Sequence, residues 1–174
     1  DYAGNSTADL AVWAEARHGI AVTAPVALLA QANKLCEIEQ VFAPPRQGVR
    51  TWSRMLRVHQ WLKNGLLFVP LLAAHQLTDG GAWIRLLLAF MAFSLCASSV
   101  YIANDLMDLE SDRQHPRKRS RPFASGAMPA WKGVLLVPVL ALTSLAISAK
   151  VGTAFTAWLS VYFLITWAYS WQLK

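Results

Sequence analysis

Apolar residues are concentrated after residue 60, where they form long runs. Three of these runs, 83–103, 131–149 and 153–171, carry little charge, and the third carries none. Each run approaches the ~20 residues that an α-helix needs to cross a bilayer. A weaker run over 61–77 contains Pro70, a kink that membrane helices tolerate. The pattern predicts four membrane-spanning helices. The alternative, a soluble bundle of buried helices, fits less well because such helices normally keep a polar face.

The first sixty residues have the mixed pattern of a soluble segment. They predict a capped helix ending near Ala16, a short strand over 20–24 and a second helix opened by Pro25. This segment is too short for us to expect a core of its own. A stretch rich in proline and glycine then favours a linker. The predicted organisation is an α/β segment over 1–43, a linker over 44–53 and an all-α, multi-pass membrane domain over 54–174.

Composition supports a membrane protein and excludes several other classes. The 174 residues are 55% hydrophobic and 15% charged, whereas soluble domains average about 25% charged residues. Disordered, collagen-like and coiled-coil chains need compositions that this chain lacks. Cys36 and Cys96 are too few for a disulfide scaffold. Nucleic-acid binding is not expected, because the main basic run adjoins carboxylates and a membrane span.

The distribution of lysine and arginine predicts the orientation in the membrane. The net charge is +6. Basic residues precede or open the first span, and six more lie between the second and third spans, over 113–132. The connection between the first and second spans, from His75 to Ala82, has none. Because positive loops stay cytoplasmic, we expect the N-terminus and the 104–130 loop to face the cytoplasm, with the protein in the cell membrane.

An acidic stretch follows the second span directly. If the helix continues, the three- and four-residue spacing of Asp105, Asp108 and Asp112 places them on one face, with Asn104 beside it. Like charges this close are tolerable around a hard cation such as Mg²⁺, which commonly bridges to a substrate diphosphate. The alternative is a loop whose acids merely offset its bases near anionic headgroups. Carboxylates at the mouth of a membrane bundle are costly unless they have a function, so this position favours a site for Mg²⁺ and diphosphate.

A basic run, RQHPRKRSR, comes next in the chain. Pro116, Pro122 and Gly126 interrupt helix formation, so this run is predicted to be a loop over the acidic face. Arginines beside a divalent cation are suited to holding a phosphate or diphosphate leaving group.

These segments together resemble one family. NDLMDLESD resembles the NDxxDxxxD motif of the UbiA superfamily of intramembrane prenyltransferases. RVHQWLKNGLLFVPLLAAH resembles its first-helix segment, DRQHPRKRSRPFASG its basic loop, and YSWQLK a Tyr/Lys motif ending its fourth helix. HQWLKN and HPRKRSRP most resemble the decaprenyl-phosphate phosphoribosyltransferase-like branch.

The resemblance implies a fold, a reaction and a set of site residues. The fold would be the first four helices of a bundle of about nine, and the reaction a Mg²⁺-dependent transfer that releases diphosphate. The partners would be the bilayer, a polyprenyl phosphate or diphosphate lipid and a diphosphate-bearing donor, in either prenyl or phosphoribosyl transfer. The implied metal ligands are Asn104 and three aspartates that also act as catalytic residues, Asp105, Asp108 and Asp112. The implied substrate-binding residues are Lys63, Asn64, Arg117, Lys118, Arg119, Arg121, Tyr169 and Lys174.

Two further expectations concern the ends of the chain. The family's second aspartate motif would lie beyond Lys174, so we expect this chain alone to be inactive and its full-length parent to be an enzyme. GNSTADL resembles the last metal-site motif of haloacid dehalogenase-like phosphohydrolases, with Asp9 matching one acid and Asn5 replacing the other. An ordinary capped helix is the alternative there. For the membrane domain, a transporter or lipid-binding fragment is the alternative of a different class.

Overall fold

The computed structural model describes residues 1–43, 47–73 and 78–172, and it places them in two compact units, Asp1–Arg46 and Gln47–Lys174.

The N-terminal unit is a small parallel α/β layer. Its strands β1 (Tyr2–Gly4), β2 (His18–Val22) and β3 (Glu37–Phe42) pair in that order and are all parallel, and helices α1 (Leu10–Glu15) and α2 (Val26–Ala32) connect them. The hydrophobic pattern predicts only the middle strand. β1 is too short to show a periodicity, and β3 contains two glutamates, which are uncommon in strands.

The expectation that this segment lacks a core is wrong. Trp13 has no exposed surface and packs with Ala21, Leu28 and Ala32. The Asp9 carboxylate accepts hydrogen bonds from the backbone N–H groups of Asn5 and Ser6, at 2.7 and 2.8 Å, and from the Tyr2 hydroxyl at 2.8 Å. These bonds lower the pKa of Asp9 to about 2. A large aromatic residue and one satisfied carboxylate thus organise the short unit.

The second unit contains three long helices. They are α6 (Gly80–Met107), α8 (Ala130–Val151) and α9 (Thr153–Gln172). Among the described residues, α6 and α8 are long and apolar enough to cross a membrane. α9 has 20 residues and no charge, but it is not among the helices that meet this length and hydropathy criterion. The pattern of apolar runs therefore places the long helices correctly along the chain.

The first predicted span is not one helix in the described residues 61–73. This stretch belongs to α4 (Val58–Asn64), a 3₁₀ segment (Gly65–Phe68) and α5 (Val69–Ala73); residues 74–77 lie outside the described part. The regular helix ends at Gly65, not at Pro70, which sits in the first turn of α5. Proline is tolerated there because the first N–H groups of a helix have no partner within it. Upstream, α3 (Val49–Met55) begins inside the predicted linker.

Helix α6 packs against α8, α9 and α4, and its buried side chains are mostly small. Ala92, Cys96 and Leu159 form one buried cluster, and Ile102 and Phe123 belong to another. The second cluster includes a close backbone approach at Gly133, where a Cβ atom would lie 2.7 Å from Cζ of Phe123. Small residues at helix contacts allow this close packing, which holds the C-terminal end of α6 firmly in place.

Candidate functional site

The acidic motif lies where α6 ends. α6 stops at Met107, Asp108 caps it, and the six-residue helix α7 (Leu109–Gln114) follows. The predicted continuous helix is therefore interrupted at Asp108. The Asp112 N–H still donates to the Asp108 carbonyl at 2.8 Å, so the backbone stays nearly helical across the junction. Asp105 and Asp112 consequently remain close enough to share a partner.

That partner is Arg121. Its Nη1 lies 2.6 Å from Oδ2 of Asp112 and 3.1 Å from Oδ1 of Asp105. Asp105 is 3% exposed and Asp112 is 1% exposed. Buried carboxylates are strongly unfavourable unless a paired cation compensates them, so Arg121 is a central stabilising residue of the site.

Arg57 is a second cation on Asp105. Its Nη2 donates to Oδ1 of Asp105 at 2.5 Å, and its Cζ lies 4.6 Å from the centroid of the Tyr101 ring. The Arg57 backbone has φ 52° and ψ 42° at the junction of α3 and α4. A left-handed conformation costs a residue with a side chain about 1–2 kcal/mol. Such strain persists where surrounding contacts fix it, and it is common at functional sites.

These residues line a cavity of about 240 Å³. Its wall is formed by Arg54, Arg57, His59, Asp105, Arg121 and Pro122. Nη2 of Arg54 donates to the Ser120 carbonyl at 2.9 Å, which ties α3 to the basic loop. Three guanidinium groups face one carboxylate here, so the cavity is suited to an anion.

The predicted phosphate-contact residues of the basic loop divide into two groups. Arg121 contacts both buried carboxylates, and Nζ of Lys118 lies 3.9 Å from Oδ1 of Asp112. Arg117 and Arg119 are exposed and form no recorded ion pair within the described ranges. The regular helix ends at Gln114, shortly before Pro116, and the loop that follows contains a short 3₁₀ turn, Lys118–Ser120.

The three predicted aspartate ligands do not form a metal-binding group in the described residues. No group of three acidic, histidine or cysteine side chains in the described part of the chain is arranged to hold a metal ion. Instead, the Arg121 guanidinium lies between Asp105 and Asp112. Oδ1 of Asn104 and Oδ1 of Asp112 are nevertheless buried without a hydrogen-bond partner among described residues. Carboxylate and amide oxygens are ligands that Mg²⁺ prefers, so the donor chemistry fits a hard divalent cation.

A second cavity, of about 290 Å³, lies between α6 and α9. It brings the predicted residues Asn104 and Tyr169 into one wall, together with Tyr101 and Tyr162. Lys174, the partner expected for Tyr169, lies outside the described residues.

Lys63 and Asn64 line neither of these two cavities. Lys63 is exposed, and Nδ2 of Asn64 donates to Oγ of Ser94 on α6 at 2.9 Å. Sequence reasoning missed Arg54 and Arg57 as site residues. Both arginines precede the first apolar run in the sequence. Basic residues at that position indicate the orientation in the membrane, and they do not by themselves indicate a binding site.

Comparison with known proteins gives a family. Residues 66–174 match the UbiA prenyltransferase family. A protein of Sinorhizobium fredii named uncharacterized protein y4nM is 36% identical over 174 residues, covering 99% of this chain and 34% of the relative. The decaprenyl-phosphate phosphoribosyltransferase of Mycolicibacterium smegmatis is 36% identical over 144 residues, covering 79% of this chain and 45% of the relative. The nodulation protein NoeC of Azorhizobium caulinodans is 48% identical over 93 residues, covering 52% of this chain and 29% of that protein.

The chain thus spans between about a third and a half of the length of the first two relatives. The family match itself includes the second, third and fourth predicted spans and the acidic motif. Since it covers more than half of the sequence, the chain belongs to the UbiA prenyltransferase family.

Proposed function

We propose that this chain supplies the first substrate half-site of a membrane transferase that releases diphosphate from its donor and uses a polyprenyl phosphate or diphosphate lipid. The observation that carries this proposal is the pair of buried carboxylates, Asp105 and Asp112, compensated by Arg57 and Arg121 at the end of α6. Buried charges at the edge of a membrane helix are costly, and they mark substrate pathways.

The residues have distinct roles in the proposed reaction. Asn104, Asp105, Asp108 and Asp112 are the proposed ligands of Mg²⁺, as the donor chemistry allows. When bound, the metal would supply positive charge to the diphosphate leaving group. Arg121 orders the carboxylates, and Lys118, with the exposed Arg117 and Arg119, supplies further cations where negative charge develops.

Two donors fit this half-site. An allylic diphosphate would make the protein a prenyltransferase, as its family description says. Phosphoribosyl pyrophosphate would make it a phosphoribosyltransferase acting on a polyprenyl phosphate, the activity in the name of the M. smegmatis relative. That relative matches 79% of this chain, which favours phosphoribosyl transfer. A transporter fits less well, because its charges would lie near the bilayer midplane in broken helices, whereas α6 is unbroken up to the acidic motif.

Diphosphate release tests the proposal. The full-length protein would be placed in nanodiscs with Mg²⁺ and decaprenyl phosphate, and phosphoribosyl pyrophosphate would be compared with an allylic diphosphate plus an aromatic acceptor. We expect turnover of phosphoribosyl pyrophosphate that Asp105→Asn lowers at least about 100-fold. Glu110→Gln is the matched control, because Glu110 belongs to the same acidic stretch, NDLMDLESD, and its side chain is exposed. Turnover of only the allylic donor would assign prenyl transfer instead, and undiminished activity in Asp105→Asn would remove the carboxylates from the mechanism.

The proposal also covers where the protein is located and what its N-terminal unit derives from. We place the protein in the cell membrane, with the 104–130 loop in the cytoplasm. The N-terminal unit is proposed to be the C-terminal part of a haloacid dehalogenase-like domain. Its support is the GNSTADL segment, in which Asp9 follows a parallel strand and caps the chain's first helical turn.

A further inference from the structure

The cavity beside Asp105 has more positive charge than the neighbouring carboxylates neutralise. Its wall contains Arg54, Arg57 and Arg121 against the single carboxylate of Asp105. Beside the wall, Asp112 pairs with Arg121 and with Lys118, and the charges of Asp112 and Lys118 cancel, so the net charge is +2 with His59 neutral. A phosphate monoester carries up to two negative charges near neutral pH. The charge of the cavity therefore matches a phosphate monoester.

The guanidinium groups keep donors for such a ligand. Each guanidinium has five N–H groups. Arg54 uses Nη2 on the Ser120 carbonyl, Arg57 uses Nη2 on Asp105, and Arg121 uses Nη1 on both carboxylates. Within the part of the chain that the structure describes, the other guanidinium nitrogens of these three arginines form no hydrogen bond. Several charge-assisted donors thus line one space of about 240 Å³.

The contacts of Arg57 and its neighbours hold this arrangement in place before any ligand binds. The Arg57 side chain is 21% exposed, lies over Tyr101 and pairs with Asp105. Ser98 on α6 donates to the Leu56 carbonyl at 2.7 Å, directly before Arg57 in the chain. An anion site that is already ordered loses little side-chain entropy on binding.

We propose that this arginine cavity binds the phosphate group of the polyprenyl phosphate lipid, apart from the carboxylates that would hold the donor diphosphate. The inference rests on the proposed function, in which two phosphate-bearing substrates meet. Two anions repel each other and need separate cations. Asp105 lines the cavity, whereas Asp112 does not, so the two sites adjoin at Asp105.

An amphiphilic phosphate fits better than a soluble one. The segment that follows Arg57 exposes apolar side chains: Leu62 is 86% exposed, Leu66 is 73% exposed and Val69 is 51% exposed. These residues follow Arg57 in the chain by 5, 9 and 12 positions, and we infer that a prenyl chain attached to a phosphate in the cavity would extend along this apolar segment. A free phosphate or a sugar phosphate would gain nothing from them.

Lipid binding without donor and without Mg²⁺ tests this inference. The full-length protein in nanodiscs would be titrated with decaprenyl phosphate, with decaprenol, phosphatidic acid and inorganic phosphate as comparison ligands. We expect decaprenyl phosphate to bind at least about tenfold more tightly than each of them. Arg54→Gln should weaken this binding about tenfold, and because Arg54 is exposed and pairs with no buried carboxylate, this variant should still fold. Arg57→Lys, which keeps the charge but loses the planar fork, is the second variant.

Arg113→Gln is the matched control. Arg113 is exposed, pairs with Glu110 at 3.6 Å and lies outside the cavity, so the same charge change there should leave the Kd within about twofold. An equal Kd for phosphatidic acid, or no loss of affinity in Arg54→Gln, would overturn the inference.

The two proposals fail in different ways. If diphosphate release is absent but Arg54-dependent lipid binding remains, only the proposed reaction is wrong. If release proceeds and Arg54→Gln leaves both the Kd and the KM for decaprenyl phosphate unchanged, only the lipid-phosphate site is wrong. In the expected case, Arg54→Gln raises the KM for decaprenyl phosphate and leaves the KM for the donor unchanged.

Discussion

Arg121 is the cation on which two buried carboxylates depend. Among the cations of the described residues, replacing it with glutamine leaves Asp112 with only Lys118, 3.9 Å away, and leaves Asp105 with Arg57 alone. Removing one partner of a buried ion pair costs about 3–5 kcal/mol. We therefore expect Arg121→Gln to lower the free energy of unfolding by about 3 kcal/mol, measured by denaturant unfolding in detergent without Mg²⁺.

Two further variants separate charge pairing from general disturbance of the loop. Arg119→Gln changes an exposed cation two residues away and should stay within about 0.5 kcal/mol of the parent. Adding Asp112→Asn to Arg121→Gln removes the uncompensated charge and should recover part of the loss. A double variant less stable than Arg121→Gln would contradict the proposed role of the ion pair.

At this scale the sequence anticipates some contacts and not others. The spacing of Asp105 and Asp112 correctly places them close together, because helical periodicity is a local property. Arg57 and Asp105 are separated by 48 residues, and no local pattern specifies such a pair. Sequence reasoning therefore finds the acidic residues, but it misses Arg57, the arginine at the junction of α3 and α4.

At the scale of elements, α4 is attached to α6 through a buried serine. Oγ of Ser98 accepts from the Trp61 indole at 3.0 Å and donates to the Leu56 carbonyl at 2.7 Å. Alanine there leaves both groups without this partner, at a cost of about 1–3 kcal/mol. We expect Ser98→Ala to lower the melting temperature and to increase hydrogen–deuterium exchange in the segment 56–64.

The neighbouring Ser99 provides the control. It is also buried, but its hydroxyl donates to the Cys96 carbonyl of its own helix at 2.7 Å. Ser99→Ala should leave exchange in 56–64 unchanged. Equal exchange in this segment for both variants would show that Ser98 does not connect α4 to α6.

The sequence predicts the long helices more accurately than the short ones. Long apolar runs place α6, α8 and α9, because a helix of twenty or more residues leaves an unmistakable run in the sequence. The segment 61–73 is also apolar, but its helices are fixed by side-chain ties such as Asn64 to Ser94, which periodicity does not reveal. The hydrogen bond from Trp61 to Ser98 is a second such contact.

At the scale of the whole molecule, the positions of the cations predict one orientation. The loop before α6 has no lysine or arginine in its described part, 78–79, whereas the loop before α8 has five. In a Cys36→Ser background we expect Asp79→Cys to react with a membrane-impermeant maleimide in intact cells. Arg113→Cys should react only after permeabilisation. The remaining thiol, Cys96, is 3% exposed and should not react with the maleimide. The reverse labelling pattern would contradict the predicted orientation.

The ion pairs around Asp105 also bear on the order in which the protein is made. Arg57 is synthesised before Asp105, and Arg121 follows Asp112 by only nine residues. Every member of this network precedes the first residue of α8, Ala130. A nascent chain that ends before α8 therefore already contains both buried carboxylates and their cations. We expect α6 to enter the bilayer with its charges compensated, without waiting for the helices that later pack against it.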